Sequence, residues 1–317
     1  MIRLPLWIFT KSEDFPFFIQ YGYHDSECYL HSHEDFSELV IVLEGSAEHT
    51  VGTEHYPISK GDVFVINQDT EHGFTGVSDF RICNIMFRPE VLFEHIYNIR
   101  QSPGFQALFV VAPHYLQNHR FSSRLHLQSQ EFAAVKAMIR DMITEYNRKQ
   151  EGWQTYCYAC FLQLCVRLSR LYQLTNTEQH RCVMQLAAAT AYMEGHFCSS
   201  ISVAELAQMS GYSQRQFSRL FKEAYGVSPN AYITNLRIQK AQQLLQNTQL
   251  PIGEIAGTAA LRIRIISAAC SGRPPGSPPP LTGIGNGTMS ASLPSNLALA
   301  SKQAIRIHSD SLFLCML

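Results

Sequence analysis

The chain has 317 residues, 46% of them hydrophobic and 16% charged, with a formal net charge of −1, a composition that fits about two globular domains and excludes a disordered or fibrous chain. With so little net charge, affinity for nucleic acid has to come from a local patch. Nine cysteines without an even disulfide framework point to a reducing cytoplasm, and no apolar run reaches the length of a membrane span.

The chain opens with Leu4 to Phe9, too short for a signal core and followed by Lys11, Glu13 and Asp14, which argues against export. Residues 16–90 then alternate β-branched and aromatic runs with turn signals, among them F-F-I-Q-Y-G-Y, L-V-I-V-L, V-F-V-I-N and R-I-C-N-I-M-F. Short strands at this spacing predict a sandwich or barrel. Within them, His31-Ser-His33 is followed by Glu38 and Gly45, and Gly61-Asp62 precedes His72.

This spacing resembles the two motifs of the cupin superfamily, G-x5-H-x-H-x4-E-x6-G and G-x5-P-x-G-x2-H. The resemblance implies a small barrel with an internal pocket, and in metal-bearing cupins the equivalents of His31, His33, Glu38 and His72 converge on one divalent ion. The chain departs from the pattern at Asn67 and Asp69, where the motif has proline and glycine, and it lacks the first glycine. Three readings of the four residues stay open: contact to a small polar ligand, structural lining, or a metal. Ligand contact is adopted, with no metal or cofactor assigned. The neighbouring Tyr29, Glu34, Phe36, Glu44 and His49 suit a hydroxylated molecule such as a sugar.

Past a mixed stretch at 89–128, Phe132, Val135, Met138, Ile139, Met142, Ile143 and Tyr146 recur at helical spacing. After Glu151-Gly152 a second stripe runs through Cys157, Cys160, Phe161, Leu164, Leu168, Leu171 and Leu174. An antiparallel helix pair is expected, its apolar face serving either the core or a dimer contact. Cys157-Tyr-Ala-Cys160 reads as helix core rather than a zinc or redox site. Residues 174–183 are polar and form the expected linker.

A helix from about Met184 to Phe197 opens the last ordered part. Ser202 and Glu205 then make an S-x-x-E capping box, Gly211 supplies a turn, and Ser213 with Gln216 repeats the capping pattern. Phe217, Leu220 and Phe221 form one stripe, while Gln214, Arg215, Ser218, Arg219 and Lys222 lie opposite. Amides, hydroxyls and cations are the groups that read base edges and hold phosphates from the second helix of a helix-turn-helix. A merely solvated basic face is the plainer alternative, but two capped helices about one glycine favour DNA.

The run from Ala191-Tyr-Met-Glu-Gly-His-Phe197 through Ser202 to Leu245 resembles the AraC-type transcription regulators over residues 190–256, and the strand-rich half resembles the sensor of that family, nearest to its L-rhamnose-responsive members. The resemblance implies two helix-turn-helix units joined by a long helix, which here starts at Ser228-Pro229. The second unit opens at Pro251-Ile-Gly-Glu-Ile-Ala256.

After Ala256 the composition shifts to Pro, Gly, Ser and Ala, with R-P-P-G-S-P-P-P, G-I-G-N-G and S-A-S-L-P-S-N, a bias that predicts disorder. If codons past this point are rebuilt from the last base of one and the first two of the next, the peptide can be W-x-C-G-F-x-D-S-D-Y-F-S-R-V-F-R, with Val, Leu or Met open at Ala269/Cys270 and Phe or Leu at Cys270/Ser271. That peptide resembles the family's second recognition helix, so a one-base frameshift or sequencing error near codon 256 is expected.

The whole reads as an α+β protein. A cupin-like ligand-sensing β-barrel takes residues 1–128, a helical dimerisation and linker region 129–183, an all-α helix-turn-helix DNA-binding domain 184–256, and an out-of-frame disordered tail 257–317. The expected function is a cytoplasmic, non-enzymatic regulator of transcription. Its expected partners are double-stranded DNA, a small effector such as a sugar, a second copy of the chain and, for an activator, RNA polymerase, with no membrane. The alternatives are a dimerising product defective in DNA binding and a metal-dependent cupin enzyme.

Overall fold

Valine, isoleucine and aromatic residues between Phe17 and Phe87 pair into the strands that their alternation predicts. A computed structural model describes residues 2–12, 14–24, 28–93, 98–113, 124–175, 178–261, 263–266, 303–308 and 311–316. They fall into two units, Met1–Tyr232 and Ile233–Leu317.

In the first unit, β1 (Ile2–Leu4), β3 (Cys28–His33), β7 (His72–Phe87), β4 (Ser37–Val51), β6 (Asp62–Ile66) and β8 (Leu125–His126) pair in that order, while β2 (Phe17–His24) pairs with β7 and β5 (Glu54–Ser59) with β4. The two longest strands, β4 and β7, shift register between Val42 and Glu48. Such bulges bend a strand and let one sheet wrap around a core. Gly45 sits in the bend at φ +71, where a Cβ would lie 2.1 Å from the carbonyl oxygen of Ser78, so only glycine fits. The enclosed core holds Val40, Val42, Phe64, Phe74, Phe80 and Ile82.

After β7 come α1 (Pro89–Leu92), a 3-10 turn at Ile99–Gln101 and α2 (Pro103–Phe105), which widens into a π-helical stretch, Gln106–Val111. The helix pair follows as α3 (Ser129–Arg148) and α4 (Trp153–Leu174). Its apolar faces bury Val135, Ile139, Met142, Phe161, Leu164 and Leu168, and Phe17 of β2 meets Phe161 at 5.4 Å between ring centroids. Cys157 is buried, its thiol turned to the Met142 carbonyl oxygen at 3.7 Å and raised to about 12 by burial, then by Cys160 and Glu145. Leu174, expected on the same stripe, is exposed.

Helices α5 (Glu178–His196), α6 (Val203–Met209) and α7 (Gln214–Tyr225) complete the first unit, and α8 (Pro229–Asn247) begins there. The first helix-turn-helix and the strand-rich half fall within one unit, with α5 resting on the 99–111 segment. In the second unit, Ala241, Ile255 and Ala259 form a small core between α8 and α9 (Ile252–Thr258).

Past α9, three strands lie in the stretch for which disorder is the expectation. They are β9 (Ile263–Ile266), β10 (Gln303–His308) and β11 (Ser311–Met316), paired in the order β10-β11-β9. Each is an apolar or β-branched run within the Pro/Gly-rich background, and the Pro-rich segment itself lies outside the described residues. Among the described residues, no helix is long and apolar enough to cross a membrane.

Candidate functional site

β3 brings His31 and His33 to one end of the barrel, and His72 lies opposite His31 at the start of β7. Glu38 stands at the start of β4. The Nε2 atoms of His33 and His72 are 3.2 Å apart, and the Glu38 carboxylate is 3.6 Å from His33 and 3.9 Å from His72. His33, Glu38 and His72 are all buried, whereas His31 is half-buried, its Nδ1 3.0 Å from the Tyr29 carbonyl oxygen.

Burial sets the charge states. It raises the Glu38 carboxyl to about 8 and lowers His33 to about 3, with His31 adding to the effect. His49 is also lowered to about 3, by burial, then Arg124 and His31. His72 is lowered by burial and the neighbouring imidazoles His33, His31 and His49. At neutral pH His33, His49 and His72 are therefore uncharged beside the protonated Glu38 carboxyl.

In the contact between His33 and His72 one ring donates and the other accepts, so the accepting ring carries its proton on Nδ1. Both Nδ1 atoms and Nε2 of His49 are buried without a hydrogen-bond partner. An orphaned polar group of this kind costs about 1–3 kcal/mol, and three of them lie among the packed imidazoles at this end of the barrel. The donor types also fit a divalent transition ion. His33 and His72 stand at a spacing two ligands of one ion can adopt, whereas the donor atoms of His31, His33 and His72 spread up to 4.8 Å apart and would have to draw in.

The other residues expected near a sugar divide. Phe36 stacks on His33 at 4.3 Å and His49 stacks on Phe64 at 4.7 Å. Tyr29 is exposed, Glu34 lies on the surface, and Glu44 pairs outside the barrel with Arg81 at 3.2 Å. His49 belongs with the four residues chosen from the motif; its signal was the period-two spacing from Val51, which pairs with His72.

At the starts of α6 and α7 the two capping boxes form as the spacing predicts. The Ser202 hydroxyl accepts from the Glu205 amide at 3.2 Å, and the Ser213 hydroxyl from the Gln216 amide at 3.3 Å. Gly211 takes φ +68 in the turn between α6 and α7. Phe217, Phe221 and Ala224 are buried, and Leu220 only partly. Gln214, Arg215, Arg219 and Lys222 are exposed on the other face, with Ser218 half-buried among them. Arg219 donates to Glu223 at 2.9 Å in an exposed pair, an interaction worth little in water and open to exchange for a phosphate.

A β-barrel with a polar interior site, packed in one unit with a capped helix-turn-helix whose basic face is exposed, defines the class of ligand-binding transcription regulators. The model of the AraC-like ligand binding domain matches residues 17–153 and that of a helix-turn-helix domain residues 206–260. The HTH-type transcriptional activator RhaR of Cronobacter sakazakii (strain ATCC BAA-894) is 30% identical over 241 residues, covering 71% of this chain and 76% of the relative. RhaR of Enterobacter sp. (strain 638) is 28% identical over 230 residues, with the same coverage of both chains, and RhaS of that organism is 25% identical over 228 residues, again 71% and 76%. The chain belongs to the AraC-type family of transcription regulators.

Proposed function

We propose that the chain is a cytoplasmic regulator that holds a small polar effector, a sugar such as rhamnose, among His31, His33, Glu38 and His72, and reads DNA with α7. The observation that carries the effector site is the set of buried imidazole nitrogens without partners beside a protonated carboxyl, since hydroxyl groups both donate and accept and suit both kinds of atom. Gln214, Arg215 and Ser218 approach base edges, and Arg219 and Lys222 hold phosphates. The names of the relatives support an activator, with RNA polymerase as a further partner. A homodimer through α3 and α4 would present two reading heads to paired half-sites. Calorimetric titration of the full chain with L-rhamnose tests the site: heat that disappears in His33→Ala supports it, and no heat with rhamnose or related sugars removes it.

The second helix-turn-helix is proposed to be lost by the frameshift past codon 256. Two facts support this: the match to the helix-turn-helix model ends at residue 260, and α9 ends at Thr258. One reading head makes fewer contacts than two, so affinity per subunit falls. A dimerising product defective in DNA binding is the second reading, favoured by the same truncated unit. The nucleotide sequence across codons 250–275 decides the frameshift; a shifted-frame stop before codon 272 would remove it.

A further inference from the structure

Glu194 on α5 is a buried carboxylate, and a buried charge is retained only where donors surround it. Its Oε1 accepts from Arg100 Nε at 2.9 Å and from the Tyr232 hydroxyl at 2.6 Å, while Arg100 also reaches the Tyr232 oxygen at 3.4 Å. Arg100 comes from the turn after the barrel, Glu194 from the helix that opens the DNA-binding half, and Tyr232 from the start of α8. One carboxylate thus joins three elements far apart in sequence.

A second polar contact runs beside it. Gln106, fully buried, donates to the Arg100 carbonyl oxygen at 2.7 Å and accepts from the Tyr225 hydroxyl at 3.5 Å. Tyr225 ends α7, stacks on Phe221 at 4.3 Å and meets Tyr232 at 5.4 Å. The contact therefore reaches the buried stripe of the reading helix and leaves its basic face uncovered. On the other side, Phe105 and Phe109 of the same segment stack at 4.9 Å, and Phe93 links them to Phe87 at the end of β7, the strand that begins with His72.

We propose that Arg100, Glu194 and Tyr232, braced by Gln106 and Tyr225, form the junction through which the barrel fixes the orientation of α7. The effector's influence on DNA, which rests on the function proposed above, passes through this junction. An apolar contact alone would tolerate small sliding; a carboxylate that is itself buried, held by a half-exposed guanidinium and a shared hydroxyl, is directional and costly to leave without its partners.

Hydrogen exchange on the full chain tests the junction without DNA or effector. In Arg100→Ala and in Glu194→Gln, amides of residues 99–111, 186–196 and 221–232 should exchange at least about tenfold faster, while β4 and β7 keep their protection. The exchanged pair Arg100→Glu with Glu194→Arg should recover part of the protection lost in Arg100→Glu. Unchanged exchange in both single variants would overturn the junction, as would equal loosening of β4 and β7, which means global destabilisation. With the junction upheld, DNA titrations with and without L-rhamnose in wild type and Arg100→Ala test its signalling role: rhamnose dependence lost in Arg100→Ala but kept in wild type supports it, and dependence kept in both overturns it. No DNA binding or rhamnose response in wild type would instead defeat the proposed function and leave the exchange result standing.

Discussion

The amide of Asp69 donates to the carbonyl oxygen of His33 at 2.8 Å, and Asp69 holds φ +62 to make that contact. The cupin motif places glycine at this position, and the backbone explains it: the loop needs a left-handed residue to close on the histidine strand. Aspartate tolerates that region better than most side chains.

Asp69→Gly should therefore stay within about 1 kcal/mol of the native stability, relief of strain offsetting a more flexible unfolded chain. Asp69→Val should lose about 1–3 kcal/mol, since a β-branched residue resists this conformation. Urea unfolding of both variants checks the difference, and equal tolerance of valine and glycine would contradict the backbone argument.

The buried carboxyl gives a pH dependence of definite sign. Glu38 keeps its proton to about 8 in the fold, against an ordinary value of 4.5. Its contribution is complete below 4.5 and is lost as pH rises through about 8. His33 and His49, held neutral down to about 3 against 6.5, contribute fully above 6.5, and that contribution is lost as pH falls toward 3. Between pH 6.5 and 8 the wild type should thus lose up to about 1.4 kcal/mol per unit through Glu38, and Glu38→Gln should be flat across the same window. Thermal melts against pH would expose a wrong assignment if both proteins declined alike.

Gly104 lies against α4 so closely that a Cβ there would sit 2.0 Å from the carbonyl oxygen of Ser169. Gly104→Ala must push the 99–111 segment off the helix pair, at a cost of about 1–3 kcal/mol or more. A chemical denaturation midpoint unchanged from wild type would show that the segment is not held there.

Lys222 is placed as a phosphate contact. Its replacement by alanine should weaken binding about equally on all DNA and reduce the slope of log affinity against log salt by about 1. Anisotropy titrations at several salt concentrations measure that slope; an unchanged slope would take Lys222 out of the interface.

Local signals carried most of what the sequence revealed. S-x-x-E and S-x-x-Q each act within one helical turn, so Ser202, Glu205, Ser213 and Gln216 were legible without any tertiary knowledge. The histidines were legible because strand alternation and motif spacing place His31, His33 and His72 on neighbouring strands. Tyr29 and Glu44 misled because closeness in sequence says nothing about which side of a bulged strand a residue faces. The attachment of α5 to the barrel was not legible at all: Arg100 and Glu194 are 94 residues apart, and no local pattern pairs them. Nor does composition reveal that short apolar runs such as Ile263–Ile266 pair as strands.

The proposed function turns on whether α7 reads sequence. The most direct measurement is enrichment of duplexes from a random pool by the full chain, by Arg215→Ala, and by a version restored to the shifted reading after codon 256. The full chain and the restored version should recover the same core half-site, the restored version with a longer site and tighter binding, and Arg215→Ala should lose about 1–3 kcal/mol of preference for that core. Recovery of no common core by either version, or the same preference with Arg215→Ala, would contradict it.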